Sequence, residues 1–182
     1  MNMNQSLKLS LGAALLLGLG QCQKKADPSP VDQLPPATQT GANTFGCLVN
    51  GQAWTPKGNN GTSNYSVDYG SGPRGEYFNI LSYRYPNETN NAQYLIIEVN
   101  ENLKVGSFSF GNTQQTRAFF DDAITKCSWN SRDSGTTYRR GTLTVTRLDK
   151  QAGIISGTFA FTLYNPGCDS IKVTQGRFDK RF

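Results

Sequence analysis

From residue 44 onward, apolar positions recur at every second residue, and no sustained three-to-four spacing interrupts them. That period predicts strands, not helices. Cys47-Leu48-Val49 and Gln52-Ala53-Trp54 flank Asn50-Gly51, the dipeptide that suits a two-residue hairpin loop because both positions tolerate positive φ. Such a loop pairs Val49 with Gln52 and sets Cys47 opposite Trp54. Residues 77–85 and 94–99 read as strands, the second with Leu95, Ile97 and Val99 on one face. Residues 105–110 are a further strand, and 119–129 hold a less regular one. Alternation is clearest at 142–146 and 155–163, joined by a short loop at 149–153. After the turn at Asn165-Pro166-Gly167, Ile171 and Val173 share a face, whereas Phe178 and Phe182 fall on the other parity. A bulge at Gly176 resets the face and turns Arg177, Asp179 and Arg181 outward. Eight to ten short strands predict an all-β domain, either an antiparallel sandwich or a small barrel.

Composition agrees with that pattern. The chain has 182 residues, 36% apolar and 17% charged, with 19 Gly, 10 Phe and 8 Tyr. This is enough for one domain with a real core, and it is too aromatic for a disordered chain. Net charge is +5, and the basic residues are scattered, with no basic helix to organise them. A solvated surface is therefore expected, not a nucleic-acid site.

The amino terminus follows another rule. Residues 9–19 form an apolar run preceded by a polar stretch with one cation, Lys8. A bilayer-spanning helix needs about 20 apolar residues, so this run matches the core of a signal peptide instead. Leu19-Gly20-Gln21-Cys22 resembles a lipobox, in which the chain is cut before a cysteine that has received a diacylglycerol; Gln21 stands where Gly, Ala or Ser is usual. The resemblance implies lipidation of Cys22, with palmitate among the attached chains, and stable membrane anchoring. Removing residues 1–21 takes away only Lys8 and leaves a charge of +4. Pro28, Pro30, Pro35 and Pro36 then mark a polar, partly extended linker. The expected organisation is a lipoprotein signal peptide at 1–21, lipidated Cys and Pro-rich disordered linker at 22–43, and an all-β domain at 44–182. Gln23 resembles the outer-membrane class of such signals, with the side faced left open.

Leu34-Pro35-Pro36-Ala37-Thr38-Gln39-Thr40-Gly41, Asn43-Thr44-Phe45-Gly46-Cys47-Leu48-Val49-Asn50-Gly51, Ile155-Ser156-Gly157-Thr158-Phe159 and Gly176-Arg177-Phe178-Asp179 together resemble a family of small uncharacterised lipoproteins of Bacteroidetes-type bacteria with a C-terminal all-β domain. The resemblance implies an envelope address and a β fold, and no chemistry.

Beyond Cys22 the chain holds Cys47, Cys127 and Cys168. If the last four strands form a meander, the loops near Cys127 and Cys168 lie at one end of the sheet, which favours that disulfide over the two pairings with Cys47. Cys47, facing Trp54, reads as a small core residue. The chain contains no His, which excludes Ser-His-Asp and Cys-His nucleophilic systems and His-ligated metals. No metal site, cofactor or catalytic residue is assigned. Asp121-Asp122 point to opposite faces of a strand. Glu98 shares the outward face with Tyr94 and Ile96, and a glycosidase pairing with Asp121 or Asp122 has no support in the pattern. Gly70-Ser71-Gly72-Pro73-Arg74-Gly75 spells G-x-G-x-x-G, but a strand follows where a dinucleotide site needs a helix, so it reads as a turn. Phe178 and Phe182 resemble the aromatic end of an outer-membrane barrel, against which Lys180 and the short strands weigh. Asp169-Ser170-Ile171 resembles a short O-glycosylation acceptor.

The expected function is that of a non-enzymatic, membrane-anchored envelope lipoprotein whose β domain binds or scaffolds something, with an apolar ligand, a glycan and an envelope protein as the partners left open and the molecular activity unknown. One alternative is a lipocalin-like carrier of a small apolar ligand, its barrel lined by Tyr77, Tyr83, Phe108, Phe159 and Phe161. Another is a glycan-binding accessory using exposed Trp and Tyr with Asn and Asp.

Overall fold

A computed structural model describes residues 27–86, 91–100, 102–111 and 115–182. Cys22 and the signal-peptide region lie outside the described residues. Asn50 and Gly51 take φ of 49° and 83°, the double left-handed turn that a two-residue hairpin demands. They join β1 (Thr44–Val49) to β2 (Gln52–Trp54), with Val49 opposite Gln52 and Cys47 opposite Trp54 as the dipeptide predicts. The other strands are β3 (Tyr65–Gly72), β4 (Gly75–Arg84), β5 (Gln93–Val99), β6 (Gly106–Ser109), β7 (Thr116–Asp122), β8 (Cys127–Asn130), β9 (Tyr138–Asp149), β10 (Ile154–Asn165) and β11 (Cys168–Arg181).

They form two antiparallel sheets ordered β2-β1-β11-β10-β9-β6 and β3-β4-β5-β7-β8. The layers remain separate and do not close on each other, so the sandwich replaces the barrel among the two architectures expected. Leu95, Ile97 and Val99 from one sheet and Leu143, Val145, Ile155 and Leu163 from the other are all buried between the layers. Aromatic rings fill the space that remains. Phe45 stacks on Phe159 at 5.4 Å, Phe110 meets Phe161 edge-on at 5.8 Å, and Phe78 stacks on Phe178 at 6.0 Å. Phe159 and Phe161 are thus core residues, Phe108 packs at the margin of that core, and the Tyr83 hydroxyl donates to Asn60 and Thr62.

Three local differences from the pattern have physical causes. Residues 119–129 are two strands, β7 and β8, because Lys126 (φ 57°) turns the chain back. Edge strand β3 alternates only weakly and was not foreseen. The expected bulge lies at Gln175 (φ 54°), immediately before Gly176. A Cβ on Gly176 would meet the Phe159 ring at 2.5 Å, which explains the glycine. Beyond the bulge Phe178 is buried, but Phe182 is 36% exposed and rests on Tyr69, with ring centroids 4.5 Å apart.

The larger correction concerns Asp179 and the proline-rich linker. Asp179 faces away from the inter-sheet core, yet it is fully buried, because residues 34–42 lie over it. Leu34 is buried and Pro35 sits against Gly46. The Asp179 carboxylate accepts from the backbone N–H groups of Thr40 (2.9 Å), Gly41 (2.8 Å) and Ala42 (3.0 Å). It also accepts from the hydroxyls of Thr38 and Ser156, both at 2.7 Å. Three successive N–H groups converge on one anion because Gly41 adopts φ 75°, forming a backbone nest. Burial alone would raise the Asp179 pKa; the bonds from Ala42, Ser156, Thr38 and Thr40 outweigh it and hold the carboxyl well below its ordinary range. The second half of the expected tether is therefore a strap that belongs to the domain.

Candidate functional site

The inward rows of β5 and β7 end in polar residues. Gln93 continues the row of Leu95, Ile97 and Val99, and Asp122 continues that of Ala118 and Phe120; the two stand opposite each other in register. At this end of the sandwich the core opens into a groove of about 560 Å³. Phe120 and Trp129 form part of its floor, and Asn50, Asp122, Tyr164 and Ser170 stand around it.

A relay of hydrogen bonds fixes the Asp122 carboxylate. Trp54 Nε1–H donates to Gln93 Oε1 (2.9 Å), and Gln93 Nε2–H donates to Asp122 Oδ2 (3.1 Å). The Ile124 N–H donates to Asp122 Oδ1 (3.0 Å). Each Asp122 oxygen still has lone-pair capacity.

The walls are tied across the two sheets. Cys127 at the start of β8 and Cys168 at the start of β11 form a disulfide with their Cα atoms 5.6 Å apart, the pairing favoured from the chain pattern. Trp129 Nε1–H donates to the carbonyls of Cys168 (3.1 Å) and Asp169 (2.8 Å), and Asn165 Nδ2–H donates to the Ser128 carbonyl (3.0 Å). On the hairpin side, Lys172 N–H donates to Asn50 Oδ1 (2.9 Å). Cys47, by contrast, is a buried free thiol whose pKa burial pushes far up, so it is held as an unreactive core side chain.

The other candidates disperse. Glu98 lies half-buried on the outer face of the five-stranded sheet, bound by Arg117 (3.0 Å) and Arg132 (2.9 Å). Asp121 pairs with Tyr94, four residues along β5 from Glu98, a step of about 13 Å. Asp122 faces the interior side instead. The structure thus does not bring Glu98 together with either aspartate at the separation of about 5–9.5 Å used by paired glycosidase carboxylates. The G-x-G-x-x-G stretch is a hairpin, with Gly72 opposite Gly75 across Pro73-Arg74. Both tryptophans are buried, while Tyr138 (47%) and Tyr164 (39%) are exposed and directly paired. Among the described residues, no group of three or more acidic or sulfur side chains is placed to hold a metal.

A family model described as a domain of unknown function (DUF6252) matches residues 87–180, just over half of the chain. The chain belongs to that family. No curated protein matches it, and neither does any solved structure. The DUF6252 stretch runs from β5 to β11, so it contains Asp122, both disulfide cysteines, Tyr164 and Asp179. The strap that covers Asp179 precedes it. Asp122 was legible as a strand residue, but Gln93 lies one residue before the strand expected at 94–99, and the pair depends on two rows ending level at one edge.

Proposed function

We propose that this DUF6252 protein is an exported, lipid-anchored lipoprotein of the bacterial cell envelope, of the Bacteroidetes type its sequence resembles. Its β-sandwich serves as a non-enzymatic binding or scaffolding domain. The observation that carries this reading is the Cys127–Cys168 disulfide, since such crosslinks persist in oxidising compartments outside the cytoplasm. It agrees with the signal-peptide pattern ending in Leu19-Gly20-Gln21-Cys22.

The strap adds a distance. Leu34 is already packed on the domain, twelve residues after Cys22. A fully extended chain spans at most about 3.6 Å per residue, so the sandwich stands no farther than about 43 Å from its lipid. An outer-membrane address and palmitate among the acyl chains complete the reading. The test is fatty-acid labelling in a bacterial host, followed by membrane fractionation. The wild-type chain takes up labelled palmitate and sediments with membranes, whereas Cys22→Ser takes up none and is released. Undiminished labelling of Cys22→Ser overturns the anchor.

A further inference from the structure

We infer that the groove at the disulfide end binds a neutral saccharide, an inference that rests on the reading of the sandwich as a binding domain. Charge narrows the ligand first. The groove presents Asp122 and Asp169, and among the described residues no Lys or Arg side chain lines it. Two carboxylates without a cation repel phosphate, sulfate or uronate groups. The chain carries +5, or +4 once residues 1–21 are removed, and that field opposes concentration of a polycation at the same place. What suits the groove is an uncharged molecule rich in hydrogen-bond donors.

Shape and chemistry then agree. A volume of about 560 Å³ lies within the usual range for small-ligand sites. The Asp122 carboxylate is aimed by the Trp54–Gln93 relay, and it can accept from sugar hydroxyls without moving. Tyr164 lines the groove from an exposed position, and Phe120 and Trp129 add apolar surface for the C–H side of a pyranose. Ser170 and Asn50 add hydroxyl and carboxamide groups. The crosslinks between β8 and β11 hold these groups before a ligand arrives, which lowers the ordering cost of binding.

The test is isothermal titration of the full chain in detergent with maltohexaose, cellohexaose and chitohexaose. Trigalacturonate serves as the anionic probe and hexalysine as the cationic one. At least one neutral hexasaccharide binds, and its heat is accompanied by a change in tryptophan fluorescence from the groove floor. Tyr164→Ala weakens that binding at least about tenfold, about 1.4 kcal/mol. Asp122→Asn weakens it about threefold or more. Ser170→Trp, which fills the groove from an exposed position, abolishes it while leaving the circular dichroism spectrum unchanged. Three results overturn the inference: no neutral probe binding at about 10 mM, binding indifferent to all three substitutions, or preference for trigalacturonate or hexalysine. None of these touches the anchor, which stands or falls with Cys22 labelling.

Discussion

The two outer faces of the sandwich each carry a carboxylate turned away from the core, and they treat it oppositely. On the six-stranded sheet Asp179 is buried under a strap and held by three backbone N–H groups and two hydroxyls. On the five-stranded sheet Glu98 stays half-buried and is held by two arginines whose side chains are about as accessible as its own. Strand parity gives both residues the same outward direction. Their difference comes from what the chain lays on top, and it decides how much each contributes. Backbone N–H groups inside a nest lose water on docking and need an acceptor there. Guanidinium groups at a half-open face keep water as an alternative partner.

The largest loss is expected for Asp179→Ala. It leaves the amides of Thr40, Gly41 and Ala42 without their acceptor, and unfolding in urea should show a loss of about 3 kcal/mol or more. A loss no larger than that of an exposed substitution would place the two faces on equal footing. Acid should act on the same carboxylate. Because the Asp179 pKa is depressed in the fold, its contribution is fully present above the unfolded value of about 3.9 and is lost only as pH falls through the lower folded value. Wild-type stability attributable to the strap should be level from neutral pH to about pH 4 and decline below it, and the Asp179→Ala profile should lack that decline.

A smaller effect is expected at Gly41. A side chain at φ 75° costs about 1–2 kcal/mol, and the new Cβ would approach Ile154 Cγ1 at 3.2 Å. Gly41→Ala should therefore lower stability by roughly that amount in urea melts, with the disulfide and groove unchanged. Smallest of all is Glu98→Gln, expected to cost about 1 kcal/mol or less and to cost less still in high salt. A loss as large as that of Asp179→Ala would show that the open face is no weaker than the covered one.

Period-two patterning was enough to find most of the sandwich, because it reports which face of a strand meets the other sheet. The Asn50-Gly51 hairpin, the Leu95-Ile97-Val99 row and the Cys127–Cys168 proximity were all legible that way. It is blind to anything laid over an outer face. Asp179 lies on the outer face as its parity predicts, but its burial and the docking of residues 34–42 depend on each other, and neither shows in the strand pattern. The β7–β8 turn was hidden because Lys126, not Gly or Asn, takes the left-handed position. The groove was hidden for another reason, since Gln93 and Asp122 are 29 residues apart and only the sheet register brings them together. One further consequence is visible only in three dimensions. The stretches around Gly41, Thr44, Ser156 and Asp179, which carry the resemblance to small lipoproteins, all meet at the Asp179 seat, with Thr44 and Ser156 its direct cross-strand partners.

The claim that the chain is already part of the domain by Thr40, instead of a free tether up to residue 43, is tested most directly by amide hydrogen exchange. In the wild-type chain near neutral pH, the N–H groups of Thr40, Gly41 and Ala42 should be protected. In Asp179→Asn they should exchange much faster, while β10 amides such as Phe161 and Leu163 stay protected. If those three amides exchange in the wild-type chain at the rate of an unstructured peptide, the strap is a tether and the account is wrong.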